Sequence, residues 1–193
     1  PFQIVVGNVG NAEVDGYDLE LKALLTDNLE IGFNMTEIND AYVNAAQEYP
    51  EPRAIGGTVP SGLDARSALP LFADTSYYLY AEYSGFNMFG GTGGIRLQHS
   101  HVGESLNQLT DSFTSPRTRG ETLPDLRQGD YDITDAMITW ENGDWSAQLR
   151  LGNITDERGI TYQDTTDFDT VWGRNSSAVI RPRNYSLTIR HYF

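Results

Sequence analysis

A side-chain period of two dominates this chain. From Tyr17 it runs Tyr17-Asp18-Leu19-Glu20-Leu21-Lys22-Ala23, apolar at odd positions and charged at even ones. Such alternation makes a strand with one dry and one wet face, because successive Cβ atoms point to opposite sides of a pleated backbone. After Thr26-Asp27-Asn28 the pattern returns over residues 29–36, then over 75–83, 95–98, 135–140, 145–151 and 185–190. Seven antiparallel strands are predicted, with residues 2–6 a candidate eighth. No stretch shows a helical period of comparable strength, so the fold class is all-β.

The connections alternate in length. Short links at residues 26–28, 85–93 and 141–144 take turns with long ones at roughly 44–72, 107–128 and 156–181. Structureless loops beyond about 12–15 residues are uncommon in compact domains, and an up-and-down chain places all three at one end. Transmembrane β-barrels have this asymmetry, with tight turns at one rim and long loops at the other. No apolar run approaches the ~20 residues of a spanning helix. The mean hydropathy of −0.44 suits spanning strands, whose inward half is polar. A soluble β-sandwich would use the same alternation. The loop asymmetry, and a strand pattern that continues to Phe193, favour an antiparallel transmembrane β-barrel segment.

The two faces fit that expectation. Tyr17, Tyr77, Tyr83, Trp140, Trp145 and Tyr185 sit near strand ends on the dry face with aliphatic residues between them, as rings at headgroup level would. The wet face is assigned to the lumen: Asp18, Glu20, Lys22, Glu30, Tyr78, Tyr80, Glu82, Arg96, Arg150 and Arg190. The formal charge of −14 argues against a nucleic-acid partner. The long connections are nearly neutral, so most of this charge lies on strands, short turns and the N-terminal stretch. Solvation and pairing account for it; a field that draws cationic or metal-bearing cargo is the functional alternative.

Sites of chemistry are sparse. The absence of cysteine removes disulfides, thiolate metal sites and cysteine nucleophiles. His99 and His101 lie two apart on the dry face, but no third metal ligand is evident. Gly90-Gly91-Thr92-Gly93-Gly94 reads as a turn, since no helix follows to cradle phosphate. Asp164, Asp167 and Asp169, near Asp156 and Glu157, lack EF-hand spacing. No Gly-x-Ser-x-Gly elbow or His-Glu-x-x-His pair occurs, so no catalytic residue, metal site, cofactor or enzyme activity is expected.

Four segments then follow one another in a familiar order. They are Asn11-Ala12-Glu13-Val14-Asp15-Gly16-Tyr17-Asp18-Leu19-Glu20; Arg96-Leu97-Gln98-His99-Ser100-His101-Val102-Gly103; Trp145 through Asn153-Ile154-Thr155-Asp156-Glu157; and Arg181-Pro182-Arg183-Asn184-Tyr185 through Phe193. Together they resemble the C-terminal part of the β-barrel of TonB-dependent outer-membrane receptors. His99 and His101 stand where that family usually has tyrosine, and Ser186 where glycine is common. Nothing here looks like the family's N-terminal plug or TonB box.

The resemblance implies that residues 1–193 are about the last third of a barrel of usually 22 strands, in the outer membrane of a Gram-negative bacterium. It implies TonB-energised uptake of scarce small-molecule cargo: a ferric siderophore, with vitamin B12 or a saccharide as alternatives. The implied partners are outer-membrane lipid, the receptor's own plug, TonB through the N-terminal part, and the barrel-assembly machinery. Cargo contacts are expected in the long loops at Tyr49, Arg53, Arg117, Arg119, Tyr162, Trp172 and Arg174, because arginine and aromatic residues carry most binding hot spots. Tyr185, Leu187, Ile189, His191 and Phe193 match the family's C-terminal assembly signal. Two other classes remain open here: a complete small eight-stranded barrel serving as adhesin or structural protein, and a soluble β-sandwich that binds carbohydrate.

Overall fold

The computed structural model describes residues 11–44, 66–106, 113–114, 122–123, 127–164 and 176–193. Strands β1 (Asn11–Thr26), β2 (Leu29–Asn44), β3 (Arg66–Ala68), β4 (Thr75–Met88) and β5 (Gly91–Val102) come first. Four two-residue strands follow: β6 (Ser105–Leu106), β7 (Phe113–Thr114), β8 (Thr122–Leu123) and β9 (Arg127–Gln128). Then come β10 (Tyr131–Glu141), β11 (Trp145–Gly152), β12 (Ile160–Asp164), β13 (Ser176–Val179) and β14 (Asn184–His191).

Seven of these form one antiparallel meander in the order β1-β2-β4-β5-β10-β11-β14, with β3 added along the far end of β2. Each expected strand is present and longer than its alternating stretch. The candidate strand at residues 2–6 lies outside the described residues. The pairs β6–β9, β7–β8 and β12–β13 stand apart as small two-stranded sheets within the long connections. Among the described residues β1 and β14 do not pair with each other, so the sheet is open at both edges.

One expectation needs correcting. Gly91, Gly93 and Gly94 belong to β5, and the turn is only Phe89-Gly90, both at positive φ. The strand glycines serve close packing. A Cβ at Gly93 would run into the Phe86 ring, and one at Gly94 into the Thr139 hydroxyl. Upstream, Gly85 (φ 80°) is the extra residue of a bulge between Ser84↔Gly94 and Phe86↔Gly93. The bulge inverts parity, so even-numbered Phe86 joins odd-numbered Tyr83 on one face, their rings stacked at 5.8 Å.

Register fixes the faces. Leu29, Tyr83, Ile95, Ile138, Leu149 and Leu187 form one cross-strand row, and Ala23, Ile31, Ala81, Leu97, Ala136, Leu151 and Tyr185 another. Among the described residues nothing covers this apolar face. Leu19, Leu21, Leu79, Ile95, Leu97, Leu187 and Ile189 are each 42–64% exposed, and the buried hydrophobic residues among those described are Leu106 and Ile180. The β1–β2 hairpin also overhangs its neighbour. β4 begins at Thr75 opposite Glu37, and the hairpin runs on for about seven residues, roughly 20 Å.

Candidate functional site: the polar wall and the roots of the long loops

The opposite face is polar, and all ten residues assigned to a lumen stand on it. Several are joined across strands. Lys22 Nζ lies 3.0 Å from Glu30 Oε1, which also accepts the Tyr80 hydroxyl at 2.8 Å. The Arg96 guanidinium lies 4.0 Å above the Tyr80 ring, donates to Glu82 at 2.9 Å and to the Tyr78 hydroxyl at 2.9 Å. Tyr78 donates on to Gln98 (3.0 Å), and the Gln98 amide donates to Asp135 Oδ2 (3.1 Å), which Arg150 also reaches at 3.2 Å. Half-exposed ion pairs contribute only ~0–1 kcal/mol each. Their effect is to hold long side chains in one arrangement from β1 to β11.

Gly32 makes part of this arrangement fit. It is buried beneath the Tyr80 ring, which occupies the space of a Cβ. Gly32→Val should push Tyr80 off Glu30 and lower the urea midpoint of the full-length protein by the equivalent of ~1–3 kcal/mol, the usual cost of overpacking. An unchanged midpoint would contradict the packing described.

Nearer the long-loop end the wall becomes shallow. Asn34, Thr36, Ser76 and Ser100 floor a groove of about 460 Å³, flanked by Asp18, Glu20 and Tyr78. Beyond it, where three long connections take root, Leu71, Val102, Gln128, Tyr131, Ile160 and Thr161 line a cavity of about 210 Å³. Of the seven loop residues expected to contact cargo, only Tyr162 is described, exposed on β12. Tyr49, Arg53, Arg117, Arg119, Trp172 and Arg174 lie outside the described residues.

At the same end, Asn153 ties the last long connection together. It follows β11 at φ 48° and is 3% exposed. Its carboxamide nitrogen donates to the carbonyls of Glu157 (2.9 Å) and Arg181 (3.0 Å). Its carboxamide oxygen accepts from the Glu157 N–H (3.0 Å) and, at 3.4 Å, the Thr155 hydroxyl. Its own N–H donates to Asp135 Oδ1 at 2.8 Å. Asp156, at φ 58°, accepts the Arg183 N–H at 3.0 Å.

On the apolar face the paired histidines acquire a partner that spacing did not suggest. Asp132 lies opposite His101, and its Oδ1 is 3.0 Å from His101 Nδ1 and 3.2 Å from His99 Nε2. His101 stacks on Tyr77 at 4.9 Å, and His99 Nδ1 meets the Thr134 hydroxyl at 2.9 Å. Among the described residues no group of three ligands has a metal-binding arrangement. With Thr75 donating to Glu37 at 2.7 Å, these residues end the apolar belt at the long-loop end. Asp132 was legible only through strand register, which the sequence leaves open by a residue or two. Asn153 and Asp156 carried a local signal: Asn and Asp clustered after a strand favour side-chain-closed turns and tolerate left-handed φ.

Along the last strand pair, Tyr185, Leu187, Ile189 and His191 lie opposite Leu151, Leu149, Ala147 and Trp145. Trp145 and His191 are 4.3 Å apart ring to ring, and Phe193 meets His191 edge-on at 4.5 Å. β14 ends at His191, so Phe193 lies just beyond it, fully exposed.

No family model matches the chain, and no curated protein matches it in sequence. Solved structures do. The ferric yersiniabactin uptake receptor FyuA from Yersinia pestis superposes with a TM-score of 0.67 at 19% identity, over 96% of this chain and 24% of the receptor. The ferric-catecholate import receptor Fiu from E. coli K12 gives 0.64 at 16% identity, over 94% of this chain and 21% of its own. FpvAI, solved in complex with pyocin S2, gives 0.58 at 18%, over 93% of this chain and 19% of its own. This chain therefore spans about a fifth to a quarter of the proteins it resembles, and it has the fold of one stretch of a TonB-dependent receptor β-barrel.

Proposed function

We propose that the chain is a wall segment of an outer-membrane receptor that imports a ferric siderophore with energy relayed by TonB. The observation that carries this is the uncovered apolar face. A seven-stranded sheet with one dry face must bury that face against something, and lipid is the partner that needs no second layer. Rings near the strand ends and a polar border at Glu37, Thr75, His99, His101 and Asp132 bound a belt of aliphatic side chains, as in an outer-membrane barrel. The opposite face then lines the lumen. The two unpaired edges are met by the rest of the same barrel, and a plug and TonB box lie elsewhere on that polypeptide. A closed small barrel would require β1 to pair with β14, and a sandwich would require a second layer over the apolar face. Neither feature is present among the described residues. The wall binds and guides; it is not an enzyme.

The cargo class is supported by the receptors this fold resembles, two of which are named for ferric siderophores. The test is growth of a strain lacking the full-length gene on limiting iron. Ferric catecholate, hydroxamate and carboxylate siderophores are supplied singly, with vitamin B12 dependence assayed in parallel. Loss of growth on one ferric siderophore, restored by the gene and abolished by loss of TonB, is the expected result. Normal growth on every iron source, with loss of B12-dependent growth, would overturn the siderophore assignment. Within a correctly inserted receptor, deleting part of the 156–181 connection should impair uptake, whereas shortening the 141–144 turn should not. Full uptake after the long deletion would place cargo recognition elsewhere.

A further inference from the structure

The last long connection is 31 residues of chain between Gly152 and Asn184, yet its two legs are joined at the base. The Asn153 carboxamide donates to a carbonyl on each leg, Glu157 on the way out and Arg181 on the way back. Asp156 adds a second bridge to the Arg183 N–H, and Gly159 O a third to the Ile180 N–H. On its other side Asn153 is anchored to the wall. Its N–H is held by Asp135, whose second oxygen takes Gln98 and Arg150, and the Ile154 N–H donates to Thr134 O at 2.8 Å. A buried carboxamide with every polar hydrogen engaged is costly to disturb, because each lost partner leaves an unsatisfied group.

We propose that Asn153 is a positioning residue for cargo recognition, a clasp that fixes the β12–β13 hairpin relative to the polar wall without touching cargo. It closes the root of the connection, so the placement of Thr161, which lines the 210 Å³ cavity, and of neighbouring Tyr162 is set at residues 153–157. Asp135 makes the clasp continuous with the charged network of β4, β5 and β11, so the wall and the hairpin move as one body. The link to cargo rests on the receptor function proposed above; the clasp itself does not.

The sharp variant is Asn153→Gly. Glycine accepts the left-handed φ without penalty, so it removes the carboxamide and leaves the backbone unstrained. In the full-length receptor, spin labels at Thr161→Cys and Ser146→Cys report the position of the hairpin against β11. The expected result is a distance distribution that broadens markedly in Asn153→Gly, with trypsin cutting after Arg158 and Arg183 at least tenfold faster on intact cells. The amount of inserted, heat-modifiable receptor should stay near wild type. Uptake of whichever ferric siderophore supports growth should need several-fold more cargo for half-maximal rate at an unchanged maximal rate, a split that general destabilisation would not give. Wild-type distances and protection in Asn153→Gly would overturn the clasp. An altered hairpin with unchanged half-maximal concentration would overturn its role in recognition. A failure of the siderophore growth assay instead leaves the distance and proteolysis results interpretable on their own. Should Asn153→Gly not accumulate, Asp156→Gly decides. It fits φ 58° and removes a single acceptor, so Arg183–Asn184 should become protease-sensitive; continued protection would reject the clasp.

Discussion

Under the receptor function proposed above, the 193-residue chain produced on its own should not yield a monodisperse folded species in detergent. β1 and β14 each present one edge with no strand beside it among the described residues. About every second residue of the sixteen in β1 and the eight in β14 then turns an unpaired N–H and C=O outward, because alternate residues already bond the neighbouring strand. In a hydrocarbon environment each such group costs several kcal/mol, far more than a domain's whole margin of stability when summed along an edge. Two exposed edges also template pairing between copies. Size-exclusion chromatography after refolding should therefore show large oligomers, and the same sequence within the full-length protein should run as a compact, heat-modifiable band. A homogeneous monomer from the isolated chain would mean that the edges find each other, and the small-barrel alternative would replace the receptor.

A comparably large effect is expected from Leu149→Arg. Leu149 lies at mid-height of β11, between Ile138 and Leu187 on the apolar face. An arginine facing lipid at that depth costs ~2–4 kcal/mol, and one pKa-unit equivalent of 1.36 kcal/mol is a factor of ten in the folding equilibrium. The folded fraction on refolding into lipid vesicles should drop steeply, and the urea midpoint with it. Glu20→Arg, on the polar face of β1, meets water and should stay close to wild type. Equal effects at the two positions would show that the two faces do not meet different solvents, which would overturn the assignment of the apolar face to lipid.

The fold was legible because period two survives in strands whose faces meet different solvents. Tyr17 through Ala23 announces both the strand and its dry side before any partner is known. Parity fails where the backbone departs from regular pleating. Past Gly85 the bulge carries Phe86 to the side that odd residues held before it, and composition alone assigned Gly91 through Gly94 to a turn when they line a crowded strand contact. The candidate site was less legible, for a different reason. The Tyr78–Gln98–Asp135–Arg150 chain depends on which residues stand opposite one another across three strand pairs, and a single sequence does not fix register. Asn153 was visible within a motif, but its role depends on Arg181, distant in sequence and close only after the connection folds back.

The bulge at Gly85 also bears on how such a chain tolerates change over time. Insertion of one residue between Thr75 and Ser84 would turn every side chain beyond it inside out, exchanging Tyr and Leu for Glu and Ser on the apolar face. Gly85 is the position where one extra residue is already absorbed, by a glycine at φ 80° with the Asn28 amide bonded at 2.5 Å to the neighbouring Ser84 carbonyl. Lineages descending from this sequence should therefore differ in strand length by even numbers of residues, or by single residues next to such a glycine. Drift in length without that constraint should gather in the connections beyond Asn44, Leu106 and Gly152.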